Sequence, residues 1–497
     1  MPRTTRIAFG DIHNHNAHGY GIGSIERSVE NARSHLDFFA FTGHSSWHDL
    51  GEYGGRAKHF TDGFRTLKET WPRVQRVIAD SNRDGEFCSF LGFEWHSNRF
   101  GDQCVVFPED FRPLHYASEL GELRRFCVAN GALLIPHHLA YPQGRRGANW
   151  DSFTSECTPV VEVYSWHGNG EEDRGPFPYL SGSPGGRDSR NTVRAGLARG
   201  LKFGFVASSD NHSGFPGAYG EGLMAALVTD LTRPAILEAI RARRTYALTG
   251  DRIEIDFRID DRIMGSDIAA GREVELYYDV QGRDELECVD VIVNGRNVAK
   301  DWPGPFPGEP FAGGPGTQVR FEWGWGPWGG LGAEQITDWE FRVSLSSGEI
   351  LGAFPCFSST PFDEHRRHAL SRLDARSLRI SSFSSRKDSY AGNPNQSVVL
   401  KLDTPPGASI RIERLAPGRE KHDIELATLA CATHPMKVGP LPAESYQLHR
   451  LVRLNESAMT RRRILPVGDE PTSVYIRVTQ RNGHMAWSSP VFINYPA

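Results

Sequence analysis

His13 and His15 stand one residue apart where the apolar stretch RIAFGDIHNH runs out. At a strand end, residues i and i+2 point the same way, so an H-x-H pair can grip one ion. A surface loop can also gather histidines by chance, and the pair alone does not separate the two readings. The other apolar runs of the first 250 residues do. DFFAFTGH ends in His44, CSFLGFEWH in Glu94 and His96, and ALLIPHH in His137 and His138. VVEVYSWH carries Glu162 and His167, and KFGFVASSDNH ends in Asp210 and His212. Imidazole and carboxylate are the ligands that borderline divalent ions prefer. Chance would have to place these ligand types at the same end of run after run. A shared metal centre is the simpler explanation.

Such residues meet only if the elements carrying them end on one face. Helix-like segments separate several of the apolar runs. SIERSVENARSHL has Ser24 as a candidate cap, followed by FRTLKETWPRVQRVIADSN, ASELGELRRFCVANG and NTVRAGLARGL. TRPAILEAIRARRTYALTG closes the series, with Thr232 as a cap and Pro234 in the first turn. Apolar strands alternating with helices imply a parallel sheet covered on both faces, doubly wound or closed as a barrel. In a barrel all strand C-termini open onto one face. No G-x-G-x-x-G follows the first strand, which excludes the usual dinucleotide fingerprint.

Beyond residue 250 the pattern changes to short alternating β-rich segments broken by Gly and Pro, such as RIEIDFRI, VELYYDV, WEFRVSL and SVYIRVT. They read as one or two antiparallel sandwiches. Only DEHRRHALSRLDARSLRI looks helical there, and DWPGPFPGEPFAGGPG reads as a long loop. The expected organisation is a barrel over 1–250 and a β-sandwich-like unit over 251–497. The second half should supply no metal ligands, because His365, His368, His422, His434, His449 and His484 are dispersed.

A net charge of -5 without a basic stripe argues against a nucleic-acid partner. No run approaches the roughly 18 apolar residues of a membrane span. The start MPRTTRIAFG has no apolar h-region, and seven cysteines without C-x-x-C spacing fit reduced thiols. Cytoplasmic location and a small-molecule substrate are the expectations, and Cys88, Cys104, Cys127 and Cys157 read as buried apolar residues.

In this order, DIHNH, FTGH, GFE, IPHH, SWH and SSDNH resemble the PHP (polymerase and histidinol phosphatase) superfamily of metal-dependent hydrolases. The likeness is to its longer members with a C-terminal β-domain. It implies an α/β fold, a distorted (β/α)7 TIM-like barrel, followed by the all-β domain. It also implies two or three divalent ions, zinc, manganese or iron. By position, His13 and His15 would bind one ion, Glu94 would bridge two, and His137 and His167 would complete the second. His44 and His212 would serve a third. Asp210 would bind the first ion and orient the water, so that Asp210, Glu94 and His212 lie nearest the chemistry. Paired ions can hold a bridging hydroxide and neutralise the oxyanion that forms. This chain has Gly43 before His44, where the family commonly has Asp, and offers His18 only three residues past the H-x-H pair.

His18 lies in NAHGYGIG, whose glycines permit a tight return over the cavity, so it is expected to complete the third site beside His44 and His212. His96 and His138 are expected to point away and to bond a ligand from behind. Glu162 either holds a ligand histidine or pairs with an arginine. Trp47, His48, Tyr164 and Trp166 either wall a substrate pocket or pack along the barrel rim, and Arg145, Arg146, Arg187 and Arg190 either recognise an anion or are solvated loop residues. The expected activity is phosphoester hydrolysis. Alternatives are carbamate, ester or amide hydrolysis by the same fold, or a silent barrel whose β-domain binds a glycan or protein.

Overall fold

The computed structural model describes residues 5–52, 55–172, 188–304, 314–324, 336–358, 363–385, 395–438, 445–468 and 470–494. Its first half opens with β1 (Arg6–Asp11), α1 (Ile25–His35), β2 (Phe38–Trp47), α2 (Ala57–Ser81), β3 (Cys88–His96) and β4 (Gln103–Val106). α3 (Leu120–Ala129), β5 (Leu133–Pro136), β6 (Val160–Ser165) and β7 (Gly168–Asn169) follow. α4 (Val193–Ala198), β8 (Gly204–Ala207), β9 (Leu223–Val228), α5 (Arg233–Arg241) and β10 (Thr245–Leu248) complete it. The Ser24 hydroxyl accepts the Arg27 N–H at the start of α1, and Thr232 caps α5 at the Ala235 N–H. Each cap stabilises its helix by about 1 kcal/mol.

Alternation along β2 shows how the central sheet is covered. Phe38 and Ala40 enter a core shared with Ile236 and Ile240 of α5, while Phe39 and Phe41 enter a second core with α1 and α2. β1, β2 and β3 are parallel neighbours, so their C-terminal ends lie side by side.

The expected fold class is nevertheless wrong. The chain does not form a (β/α)7 barrel with a separate all-β domain. β4 runs antiparallel to β3 and β5 to β4, while β9 and β10 add antiparallel strands on the other side of β1. The same sheet continues from β10 through Met485–Ser488, Thr472–Gln480 and Val491–Asn494. β6, β7 and β8 form a separate three-stranded sheet. Strands buried on both faces read as continuous apolar runs whatever their direction, so the sequence pattern mistook a mixed sheet for a parallel one.

In the second half, two five-stranded sheets share one core, which includes Phe321, Phe341, Val398 and Ile412. DEHRRHALSRLDARSLRI is not a helix: it supplies the strand Ala369–Asp374 and the start of the strand Ser377–Ser385, because Leu378 and Ile380 alternate into that core. Residues 305–313 of the Pro/Gly stretch lie outside the described residues. Among the described residues no helix is long and apolar enough to cross a membrane.

Two contacts tie this half to the metal-ligand candidates. Phe215 and Ala218, just past His212, belong to the sandwich core. Asp251 accepts hydrogen bonds from Tyr219 (2.9 Å), Arg320 (3.0 Å to each oxygen), Gln480 (2.8 Å) and Asn482 (2.7 Å).

His368 sits where Phe215 meets the sandwich, stacked on Phe357 and Phe383 with Nδ1 2.8 Å from the Ser382 hydroxyl. Burial, with His35 and Arg27 nearby, pushes its pKa down to about 3. The unfolded chain therefore binds the extra proton below pH ~6.5, and this site loses stability as pH falls. Between pH 7 and pH 5, wild type should lose about 2 kcal/mol more than His368→Phe. Urea midpoints at the two pH values measure this, and equal losses would refute it.

Candidate metal centre

Two backbone segments run side by side beneath the site. The Asp210 N–H donates to the His13 carbonyl and the His15 N–H to the Asn211 carbonyl, both at 2.8 Å. Beneath them the buried Asp11 carboxylate accepts the N–H groups of His13 (3.1 Å), Ser209 (3.1 Å) and Gly217 (2.7 Å) and the Ser209 hydroxyl (2.5 Å). This pairing fixes His13, His15, Asp210 and His212 relative to one another. Asp210 itself has φ +52°, a strained left-handed turn that a site can hold when its surroundings over-determine it.

The side chains converge. His13 and His15 bring their Nε2 atoms within 3.0 Å, with Asp210 Oδ1 3.3 Å from the first and 2.9 Å from the second. Glu94 Oε2 lies 3.7, 3.5 and 3.6 Å from Nε2 of His13, His15 and His44. Asp210 Oδ2 lies 3.3 Å from His137 Nε2 and 2.8 Å from His167 Nε2. Glu162 stands behind two of these rings, 3.0 Å from His13 Nδ1 and 2.5 Å from His137 Nδ1. It thereby sets both tautomers and leaves both Nε2 atoms facing Asp210. Tyr141 OH does the same for His167, 3.0 Å from its Nδ1.

Burial opposes charge on every one of these groups, and their mutual contacts decide the outcome. The surrounding imidazoles hold Glu94, Glu162 and Asp210 well on the ionised side despite burial. Glu162 raises His137 to about 9, whereas burial and the neighbouring His212 push His15 down to about 3. His44 and His138 are also driven to the neutral state by burial and by adjacent imidazoles. Nδ1 of His15, His44 and His138 is buried without a hydrogen-bond partner. Three ionised carboxylates, with lone pairs unused on the neutral rings of His15, His44 and His138, form a donor set that suits divalent ions. Five overlapping groups bring ligand atoms within reach of one ion: His15–His44–His212, His137–His138–His167, His13–His137–Glu162, His13–His15–Glu94 and His44–Glu94–His96.

His18 is not drawn into the cluster. The loop does fold back over His44 and His212, but His18 Nδ1 lies 2.8 Å from the Thr70 hydroxyl of α2. Tyr20 takes the position over the cavity, stacked on His44 at 3.4 Å between centroids, and His15 occupies the other face of His44. His96 and His138 do not point away. His96 lies two residues past Glu94 on β3 and so shares its face, with Nδ1 2.9 Å from Asp102 Oδ2. His138 adopts φ +55° just beyond β5, which turns its ring onto His137 (3.7 Å between centroids).

The remaining candidates scatter. Arg146 is spent on Asp102 (Nε 2.7 Å) and lies over Trp47 at 4.9 Å. Tyr164 donates to the Gly220 carbonyl inside a core, and His48 stacks on Trp95. Arg190 pairs with Asp188 at the surface, Arg145 is exposed, and Arg187 lies outside the described residues. Trp166 stays at the rim, its indole N–H 3.2 Å from Asp210 Oδ2. Tyr20, Asp11, Asp102 and Tyr141 were not read from the sequence. Asp11 alone had a signal there, as a carboxylate two residues before the H-x-H pair.

No family model matches the chain. An uncharacterised protein of Chlamydia pneumoniae is 28% identical over 259 residues, 47% of this chain and 41% of that one. One of Chlamydia muridarum is 26% identical over 261 residues, again 47% and 41%. The match thus spans about two fifths of those relatives' own length. Among solved structures, a two-domain protein of Bacteroides vulgatus containing a predicted PHP-like metal-dependent phosphoesterase is similar, at 12% identity and a TM-score of 0.34. That similarity covers 85% of this chain and 96% of the other.

Two variants probe the cluster. Glu162→Gln frees the tautomers of His13 and His137 and should weaken zinc or manganese binding about 10–100-fold in chelator competition. Unchanged affinity would show that Glu162 does not act through these rings. His18→Ala should keep the wild-type metal content, and loss of one ion per chain on elemental analysis would return His18 to the ligand set.

Proposed function

We propose that this chain is a metal-dependent hydrolase of the PHP type and that it acts on phosphoesters. The observation that carries the proposal is the shared use of Glu94 and Asp210. Glu94 reaches His13, His15 and His44, and Asp210 reaches His13, His15, His137 and His167. A carboxylate shared between adjacent imidazole sets suits neighbouring ions rather than a single one. His13 and His15 would hold the first ion, His137 and His167 with His138 the second, and His44 and His212 the third. When bound, such ions lower the pKa of water and neutralise negative charge that develops on the substrate.

The chain's own groups set the stage for this chemistry. Glu162 and Tyr141 orient three ligand rings, and Asp11 holds the two ligand-bearing segments in register. The indole N–H of Trp166 steadies Asp210 Oδ2. His212 is the one ring of the cluster with substantial exposure, 34% of its side chain against 5% or less for the other described cluster histidines. Substrate therefore enters at His212. The aromatic rings at that entrance also favour carboxylic ester or carbamate hydrolysis as a second reading.

The deciding experiment is elemental analysis of purified protein followed by assays on phosphomonoesters, phosphodiesters, aryl esters and carbamates. Two or more divalent ions per chain and hydrolysis of a phosphoester are expected. A fully metal-loaded protein inert to the whole panel would overturn the proposal. Asp210→Asn, verified as folded and metal-loaded, should cut turnover about 10²–10⁴-fold if this carboxylate manages a proton, and near-normal turnover would remove it from the mechanism.

A further inference from the structure

Aromatic side chains stand near both ends of the ligand cluster: Tyr20 beside His212, and Trp166 on Oδ2 of Asp210, whose Oδ1 lies 3.7 Å from His212 Nδ1. At one end Tyr20 lies 5.8 Å from His212 between ring centroids and stacks on His44. Phe60 and Phe64 of α2 meet Tyr20 edge to face at 5.2 and 6.2 Å. All three are only half-buried. At the other end Trp166 is 40% exposed, although its indole sits 4.0 Å from the His167 ring and bonds Asp210. A large aromatic ring that keeps this much exposure beside a buried charged cluster forgoes burial that would stabilise the fold. Arg146, the candidate for reading an anion, is held by Asp102 instead. The entrance thus pairs a polar floor of ligand side chains with apolar walls.

We propose that the substrate carries a planar aromatic group next to the bond that is hydrolysed, received between Trp166 on one side and Tyr20, Phe60 and Phe64 on the other. This rests on the hydrolase reading of the metal centre and narrows its substrate class to aryl or heteroaryl esters. The ionic part of the substrate faces the ligand cluster, while the ring gains offset or edge-to-face contacts of the kind aromatic pairs prefer.

The test uses the metal-loaded full chain and two probes that are not hydrolysed, phenylphosphonate and methylphosphonate, titrated by calorimetry. Wild type should bind phenylphosphonate about tenfold more tightly than methylphosphonate. In Trp166→Ala that ratio should fall to about threefold or less. Because it is a ratio, it cancels any loss at the metal centre itself. Phe64→Ala, on a different element, provides the same readout should the first variant fail to fold. Equal binding of the two probes by wild type, or a preference that survives in both variants, overturns the aromatic proposal and leaves the hydrolase reading standing. Binding of neither probe by metal-loaded wild type overturns both.

Discussion

Burying three carboxylates among imidazoles is the constraint on which the rest of this structure depends. Each of Glu94, Glu162 and Asp210 is cut off from water, and an isolated buried carboxylate would simply take up a proton. They stay on the ionised side because imidazoles crowd them, and those imidazoles need fixed positions in turn. Asp11, Asp102 and Tyr141 provide them by satisfying backbone amides and ring nitrogens from behind. A polar cluster of this kind is either fully connected or costly. Here the few buried nitrogens left without partners point to cations as the missing members.

That demand explains why the second half of the chain is not a passenger. His167 is followed by Glu171, which is fully buried and accepts bonds from Tyr475 (2.7 Å), Arg477 (2.8 Å), Trp487 (2.8 Å) and Arg194 (3.1 Å). Phe215, three residues past His212, is packed into the sandwich core. Two segments that leave the cluster are therefore pinned by strands contributed from beyond residue 250. The ligand geometry is set by packing across the whole molecule rather than within its first half.

Much of the centre could be read from residue order alone, because ligand types recur where apolar runs stop, and such runs are strands in either sheet direction. What could not be read was direction. Nothing in QCVVF says that it returns antiparallel beside CSFLGFEW, and the barrel expectation failed there. Side-chain facing was recovered unevenly. His96 follows from simple alternation with Glu94, and the expectation that it points away misapplied that rule. His138 depends on a left-handed backbone turn that no local pattern announces for histidine. In NAHGYGIG the return of the loop was legible from its glycines. Which side chain it delivers depended on Thr70, a distant residue that captures His18 and leaves the cavity to Tyr20.

The sheet that runs without a break from β1 to Val491–Asn494 has a consequence for how the molecule is made. Tyr246 of β10 pairs with Ser488, a neighbour that leaves the ribosome long after it. Until then β10 presents an open, apolar edge to its surroundings, a surface prone to pairing with the wrong chain. Contacts this distant in sequence close slowly, since the intervening loop must lose its entropy first. The first half is therefore a poor candidate for expression as a fragment, and nascent chains stalled near residue 250 are natural clients for chaperones.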